Sequence, residues 1–135
     1  MDRKIALFWI VLMFFSCKEN ELPRTDENLF QSLSSGLWEI SFFEKGGINL
    51  AAEFDGISFV FYPNGKSEAY QGSQLLDQGT WSTRSVSGKN KLQLSFSRFE
   101  KLNGDWNQGF VRSDQIQVQK ENGNSGSQLF FEKIQ

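Results

Sequence analysis

The sequence predicts an all-β fold. It reads as seven or eight short antiparallel strands behind a short helix, closed into a barrel or stacked as a sandwich. Three observations carry this. Apolar residues recur with period two through most of the chain after Ser35. Clusters of Gly, Asn and Ser interrupt the alternation about every dozen residues. No stretch beyond Ser35 is long and periodic enough for a crossover helix, which leaves sequential antiparallel strands.

Taken in order, residues 27–35 (ENLFQSLSS) place Leu29, Phe30 and Leu33 at i, i+1 and i+4. That suits one or two helical turns, stopped by Gly36. Residues 36–45 (GLWEISFFEK) switch to period two, with Trp38, Ile40 and Phe42 against Glu39 and Ser41. Residues 56–62 (GISFVFY) put Ile57, Phe59 and Phe61 on one face, and Pro63-Asn64-Gly65 turns the chain into a more polar strand, 66–71. Another strand surrounds Trp81 (residues 76–84), and residues 85–90 (SVSGKN) are turn-like. Residues 91–98 alternate Leu92, Leu94 and Phe96 with Gln93, Ser95 and Ser97. Residues 99–112 read as a strand extension, a loop at Asn103-Gly104-Asp105 and a short strand. Trp106 therefore falls in a polar loop, expected to fold back over the barrel end. Residues 115–120 alternate Ile116 and Val118 with Gln115, Gln117 and Gln119, and after the turn 122–126 (NGNSG) an aromatic strand closes the chain.

The 135 residues include 14 Lys and Arg, 16 Asp and Glu, one Cys and no His. Arg3 and Lys4 precede an apolar run, residues 5–15, which is 11 residues long. A bilayer-spanning helix needs about 20. A basic start, a short apolar middle and a small residue before a boundary are the parts of a secretory signal. Without Asp2, Arg3 and Lys4 the chain keeps 12 basic and 15 acidic residues, a net charge of −3. It has no basic block, so nucleic acid is not an expected partner.

The residues FFSC, ending at Cys17, resemble a bacterial lipobox, with Phe14 where that pattern prefers Leu. The resemblance implies a signal peptide over residues 1–16, a lipidated Cys17 that becomes the new N-terminus, a tether over 17–28 and a β-domain over 29–135. Each buried lipid methylene contributes about 0.8 kcal/mol, and stable anchoring takes more than one chain. Lys18-Glu19-Asn20-Glu21 resembles the Lys-plus-acidic signal that sends some lipoproteins of Bacteroidetes-type bacteria to the cell surface. The implied location is the outer membrane, lipid-anchored, periplasmic or surface-exposed.

The short helix followed by Gly36-Leu37-Trp38 resembles the start of a lipocalin barrel. Residues 59–65 (FVFYPNG), Gly79-Thr80-Trp81 and residues 129–134 follow the order seen in small lipocalin-like domains of Bacteroidetes-type lipoproteins. The resemblance implies an eight-stranded antiparallel up-and-down barrel, with the Trp across a closed end that the helix plugs. In that family an Arg near the C-terminus packs on the Trp. Here no Arg follows Arg112.

The chemistry legible in the chain is mostly absence. Without His, Ser-His-Asp and Cys-His catalysis and His-containing zinc sites are excluded. A carboxylate pair could run glycoside hydrolysis, and Glu39, Glu53, Glu68 and Asp77 lie near expected strands, where solvent-facing positions are their ordinary place. A loop calcium site at residues 103–107 is weighed against plain turn formers. The expected ligand-binding residues are the inward aromatics Trp38, Phe42, Phe59, Phe61, Trp81 and Phe96. They either line a pocket for a small apolar or amphipathic ligand or fill the core. The expected function is a non-catalytic, membrane-anchored lipocalin-like envelope lipoprotein with no cofactor. The alternative is a filled accessory barrel that docks onto an envelope protein.

Overall fold

The computed structural model describes residues 25–122 and 125–134. The signal-peptide expectation, Cys17 and most of the tether lie outside those residues. The chain enters as helix α1 (Thr25–Leu33), so the last four residues of the expected tether are already helical. The helix ends without a left-handed glycine: Ser34 donates both its N–H (3.0 Å) and its hydroxyl (2.7 Å) to the Phe30 carbonyl. Among the described residues no helix is long and apolar enough to cross a membrane.

Nine strands follow: β1 (Leu37–Lys45), β2 (Ile48–Asn49), β3 (Ile57–Phe61), β4 (Lys66–Gln71), β5 (Gln74–Val86), β6 (Lys89–Phe96), β7 (Gly104–Val111), β8 (Gln115–Asn122) and β9 (Ser125–Lys133). Each is antiparallel to its neighbours, and β1 pairs with β3 on one side and β9 on the other. The result is a closed eight-stranded up-and-down barrel, with β2 a two-residue spur on β1. Closure leaves no long unpaired edge to recruit other chains.

Local chemistry sets the turns. Between β3 and β4, Gly65 takes φ +94° and donates its N–H to the Tyr62 carbonyl, and its own carbonyl accepts from Trp81 N–H. Ser87 and Gly88 both have positive φ and join β5 to β6 as a two-residue hairpin, so both strands run further than the sequence suggests.

One end is closed by α1. Leu29 and Leu33 are fully buried, Phe30 stacks on Trp81 at 5.1 Å, and the Trp38 indole N–H donates to the Leu33 carbonyl at 3.0 Å. The cation over Trp38 comes from Lys133, its cross-strand partner on β9, whose Nζ lies 5.7 Å from the ring.

The opposite end carries two 3-10 turns, Ala51–Phe54 and Glu100–Leu102. Phe54 and Leu102 are buried there and plug the mouth.

Candidate functional site

Five of the six expected aromatics face inward: Trp38, Phe59, Phe61, Trp81 and Phe96 are all buried. Phe42 does not. Ser41 is an extra residue in β1, because Ile40 pairs with Phe131 while Phe42 pairs with Phe130. A bulge of this kind resets the alternation. Phe43 takes the core position, and Phe42 lies half-buried on the outer wall against Phe130, ring centroids 4.9 Å apart.

The inward rings are spent on one another. From the helix end, Phe30 contacts Trp81, Trp81 contacts Phe61 (5.6 Å) and Phe61 contacts Phe131 (5.6 Å). Phe59 joins Phe61, Phe96 and Phe131, and Phe99, Phe54 and Phe43 carry the chain of contacts to Trp106. Edge-to-face pairs like these stabilise by about 0.5–1.5 kcal/mol beyond area burial. The run of rings spans from α1 to the mouth.

Trp106 is also corrected. It sits on β7, fully buried, and donates its indole N–H to the Leu102 carbonyl at 2.9 Å. The polar residues around it hold the strand in register. Asn103 accepts Phe96 N–H at 2.6 Å and donates to the Phe96 carbonyl at 3.0 Å. Asp105 pairs with Arg84, and Asn107 accepts from Lys91. The side chains weighed as calcium ligands are thus engaged elsewhere, and no cluster of metal-ligating residues occurs among the described ones.

The four carboxylates have separate tasks. Glu39 is exposed on the outer wall. Glu53 pairs with Lys101 at 3.1 Å. Asp77, nearly buried, accepts the N–H groups of Gln78 (2.8 Å), Arg98 (2.8 Å) and Phe99 (3.0 Å) and so pins the β6–β7 connection to the barrel. Glu68 accepts the hydroxyls of Tyr70 (2.7 Å) and Tyr62 (2.8 Å) on the outer wall, with Lys66 at 3.7 Å. Those phenols hold the Glu68 carboxyl below its ordinary range. In return, the hydrogen bond to Glu68 pushes the Tyr70 phenol up to about 12.

The mouth is the strongest candidate site. A groove of about 250 Å³ opens there between the two 3-10 turns, lined by Glu53, Phe54, Arg98, Phe99, Glu100 and Lys101. Its floor is aromatic, with Phe54 and Phe99 edge to face at 5.3 Å. Its rim is charged, and Arg98 lies over the Phe99 ring at 5.8 Å. The Glu53–Lys101 bridge joins the two turns, but both side chains are about half exposed. Such a pair contributes about 0–1 kcal/mol.

A second cationic feature stands beside it. Lys120 points inward from β8, its Nζ 4.5 Å from the Trp106 ring and 2.7 Å from the Asn103 carbonyl that it donates to. Burial, and then the nearby Lys45 charge, lower its pKa. Lys45 and Lys120 both pair across strands with Ser127, which places all three on the inward face at the rim.

Sequence reasoning missed Phe54, Phe99 and Leu102, because single 3-10 turns have no periodicity to read. It also missed Lys120, although extending the alternation of Ile116 and Val118 by two residues puts it inward.

The outer wall carries one aromatic row. Phe42 pairs with Phe130, Phe130 with Gln117 and Gln117 with Phe110, and the Arg112 guanidinium covers the Phe110 ring at 4.8 Å. All three rings are half-buried.

A scan against protein-family models and a search of curated proteins found no match for the chain.

Proposed function

We propose that this is a lipid-anchored, non-catalytic envelope lipoprotein with a lipocalin-like barrel that binds a small amphipathic ligand. The interior serves as scaffold and the binding surface is the mouth. The observation that carries this reading is the groove between the two 3-10 turns, where the Phe54 and Phe99 rings lie next to Arg98 and Lys101. Ligand sites combine an apolar lining with a few placed polar groups. The lipobox-like FFSC and its upstream apolar run support the anchor.

A second reading, an accessory lipoprotein docked onto an envelope complex, draws support from the ring-filled interior and the outer row of Phe42, Phe130 and Phe110.

Protein extracted from its host membrane tests both parts. Its intact mass is expected to lack residues 1–16 and to include acyl chains on Cys17. A panel of small amphiphiles is expected to raise its melting temperature, as any ligand of the folded state does. An unmodified thiol or a retained leader rejects the anchor. A panel that leaves the melting temperature unmoved rejects ligand binding, and a partner that co-purifies in mild detergent then favours the accessory role.

A further inference from the structure

The two lips of the mouth are fastened very differently. The 97–103 lip is held by Asp77 through the N–H groups of Arg98 and Phe99, by Asn103 through both backbone groups of Phe96, and by Lys120 and Trp106 through the Asn103 and Leu102 carbonyls. The 46–56 lip starts at Gly46 and Gly47 (φ +59° and +85°) and ends at Gly56 (φ +77°), conformations that glycine adopts without strain. Its root, residues 46–50, is tied by the β1–β2 pairing (Glu44 with Asn49, Lys45 with Ile48), by Gly46 N–H to the Gly126 carbonyl, by Leu50 N–H to the Phe43 carbonyl and by Leu50 packing against the core. Beyond Leu50, the polar link to the other lip is the half-exposed Glu53–Lys101 bridge. The rest of the hold is Phe54, seated against Phe43 (5.8 Å), Phe99 (5.3 Å) and Phe59 (6.3 Å).

Beside that seat the rim is cationic. Phe43 touches Trp106 at 6.3 Å, Lys120 covers Trp106, and Lys45 lies two residues beyond Phe43 on the same inward face. Among the described side chains, neither Lys45 nor Lys120 is ion-paired. Two like charges that face each other across Ser127, one of them partly desolvated, favour an added anion, since Asp105, whose charge also reaches Lys120, is already paired with Arg84.

We propose that the mouth is a gated site for an anionic amphiphile: residues 51–56 swing outward, Phe54 leaves its seat, the ligand's apolar tail replaces it against Phe43, Phe59 and Phe99, and the anionic head settles between Lys45 and Lys120. This rests on the ligand-binding reading above and adds the class of ligand and the route of entry. Lifting the flap also breaks the Glu53–Lys101 bridge, which leaves Lys101 as a further cation at the entrance.

The test uses the full lipidated protein in nanodiscs of zwitterionic lipid. Calorimetric titrations with octanoate, octanol and octyltrimethylammonium are corrected with empty nanodiscs. Octanoate is expected to bind most tightly and octyltrimethylammonium least. Lys45→Gln, at an exposed position, is expected to weaken octanoate about tenfold, the size of one charge-assisted contact, and to leave octanol unchanged. Lys120→Met, with its melting temperature as a folding check, is expected to act in the same direction. Phe54→Ala, with its melting temperature as a folding check, is expected to tighten octanoate and octanol alike, because it empties the seat that the apolar tail must otherwise open. Equal binding of octanoate and octyltrimethylammonium, or no effect of Lys45→Gln, overturns the anionic head while ligand binding stands. A folded Phe54→Ala variant that binds both no more tightly than the parent overturns the gate. If none of the three amphiphiles binds, the gated site and the ligand-binding reading fall together.

Discussion

Phe59→Ala is expected to lower the unfolding free energy by about 3–5 kcal/mol, the range for removing a buried aromatic ring. Phe59 is fully buried, and its ring meets those of Phe54, Phe61, Phe96, Phe99 and Phe131. The neighbours come from three strands and both connections at the mouth, so no one element can collapse into the gap, and incomplete collapse is what makes such truncations costly. Phe42→Ala is the matched control. Its ring lies half-buried on the outer wall against Phe130, and its loss is expected to cost about 1 kcal/mol. Urea unfolding followed by tryptophan fluorescence gives both values. Similar losses at 42 and 59 would contradict the bulge at Ser41 and the inward face that it defines.

The second large effect is expected at Gly79. It pairs with Phe96 across β5 and β6, and a Cβ built on it falls 2.0 Å from the Ser95 carbonyl oxygen and 2.9 Å from Phe96 Cα. Both obstacles are backbone, so no side-chain rotation relieves the clash, and the two strands must separate. Gly79→Ala is therefore expected to destabilise by about 3 kcal/mol or more, at the upper end of overpacking. Gly72→Ala is the comparison: at a hairpin tip with open space around it, its cost comes from φ alone. Denaturant midpoints that rank Gly72→Ala as the more damaging would contradict the close approach of β5 and β6.

The sequence disclosed the barrel wherever the period of two ran without interruption. Leu92, Leu94 and Phe96 on β6, Ile116 and Val118 on β8, and Phe59 and Phe61 on β3 all face inward, as their alternation implies. The plugged end was legible in residues 29–38, including the tryptophan across it. Errors collected at bulges. Ser41 shifts β1 by one residue, which exchanges Phe42 for Phe43. Gly109 does the same on β7, so Trp106 faces inward and Phe110 outward although they are four residues apart on one strand. Nothing local distinguishes Ser41 from an ordinary outward residue. Gly109 is a weak signal, because an isolated glycine inside a strand often marks a bulge. Asn103-Gly104-Asp105 reads as a loop by composition, yet Asn103 closes onto both backbone groups of Phe96 and Gly104 begins the next strand. The mouth was the least legible part. Its turns bring together residues from two distant segments, and which aromatic plugs a barrel end is decided by the three-dimensional closure of the sheet.

The claim on which the rest depends is that ligands meet this barrel at its mouth while the interior stays packed. Amide chemical-shift mapping of the lipidated protein in nanodiscs during an octanoate titration tests it most directly. The account predicts the largest shifts at residues 46–56 and 97–103 and at Lys45 and Lys120, with the amides of Phe61, Trp81 and Phe131 nearly still. Shifts centred on those three interior residues, with a quiet mouth, would contradict it.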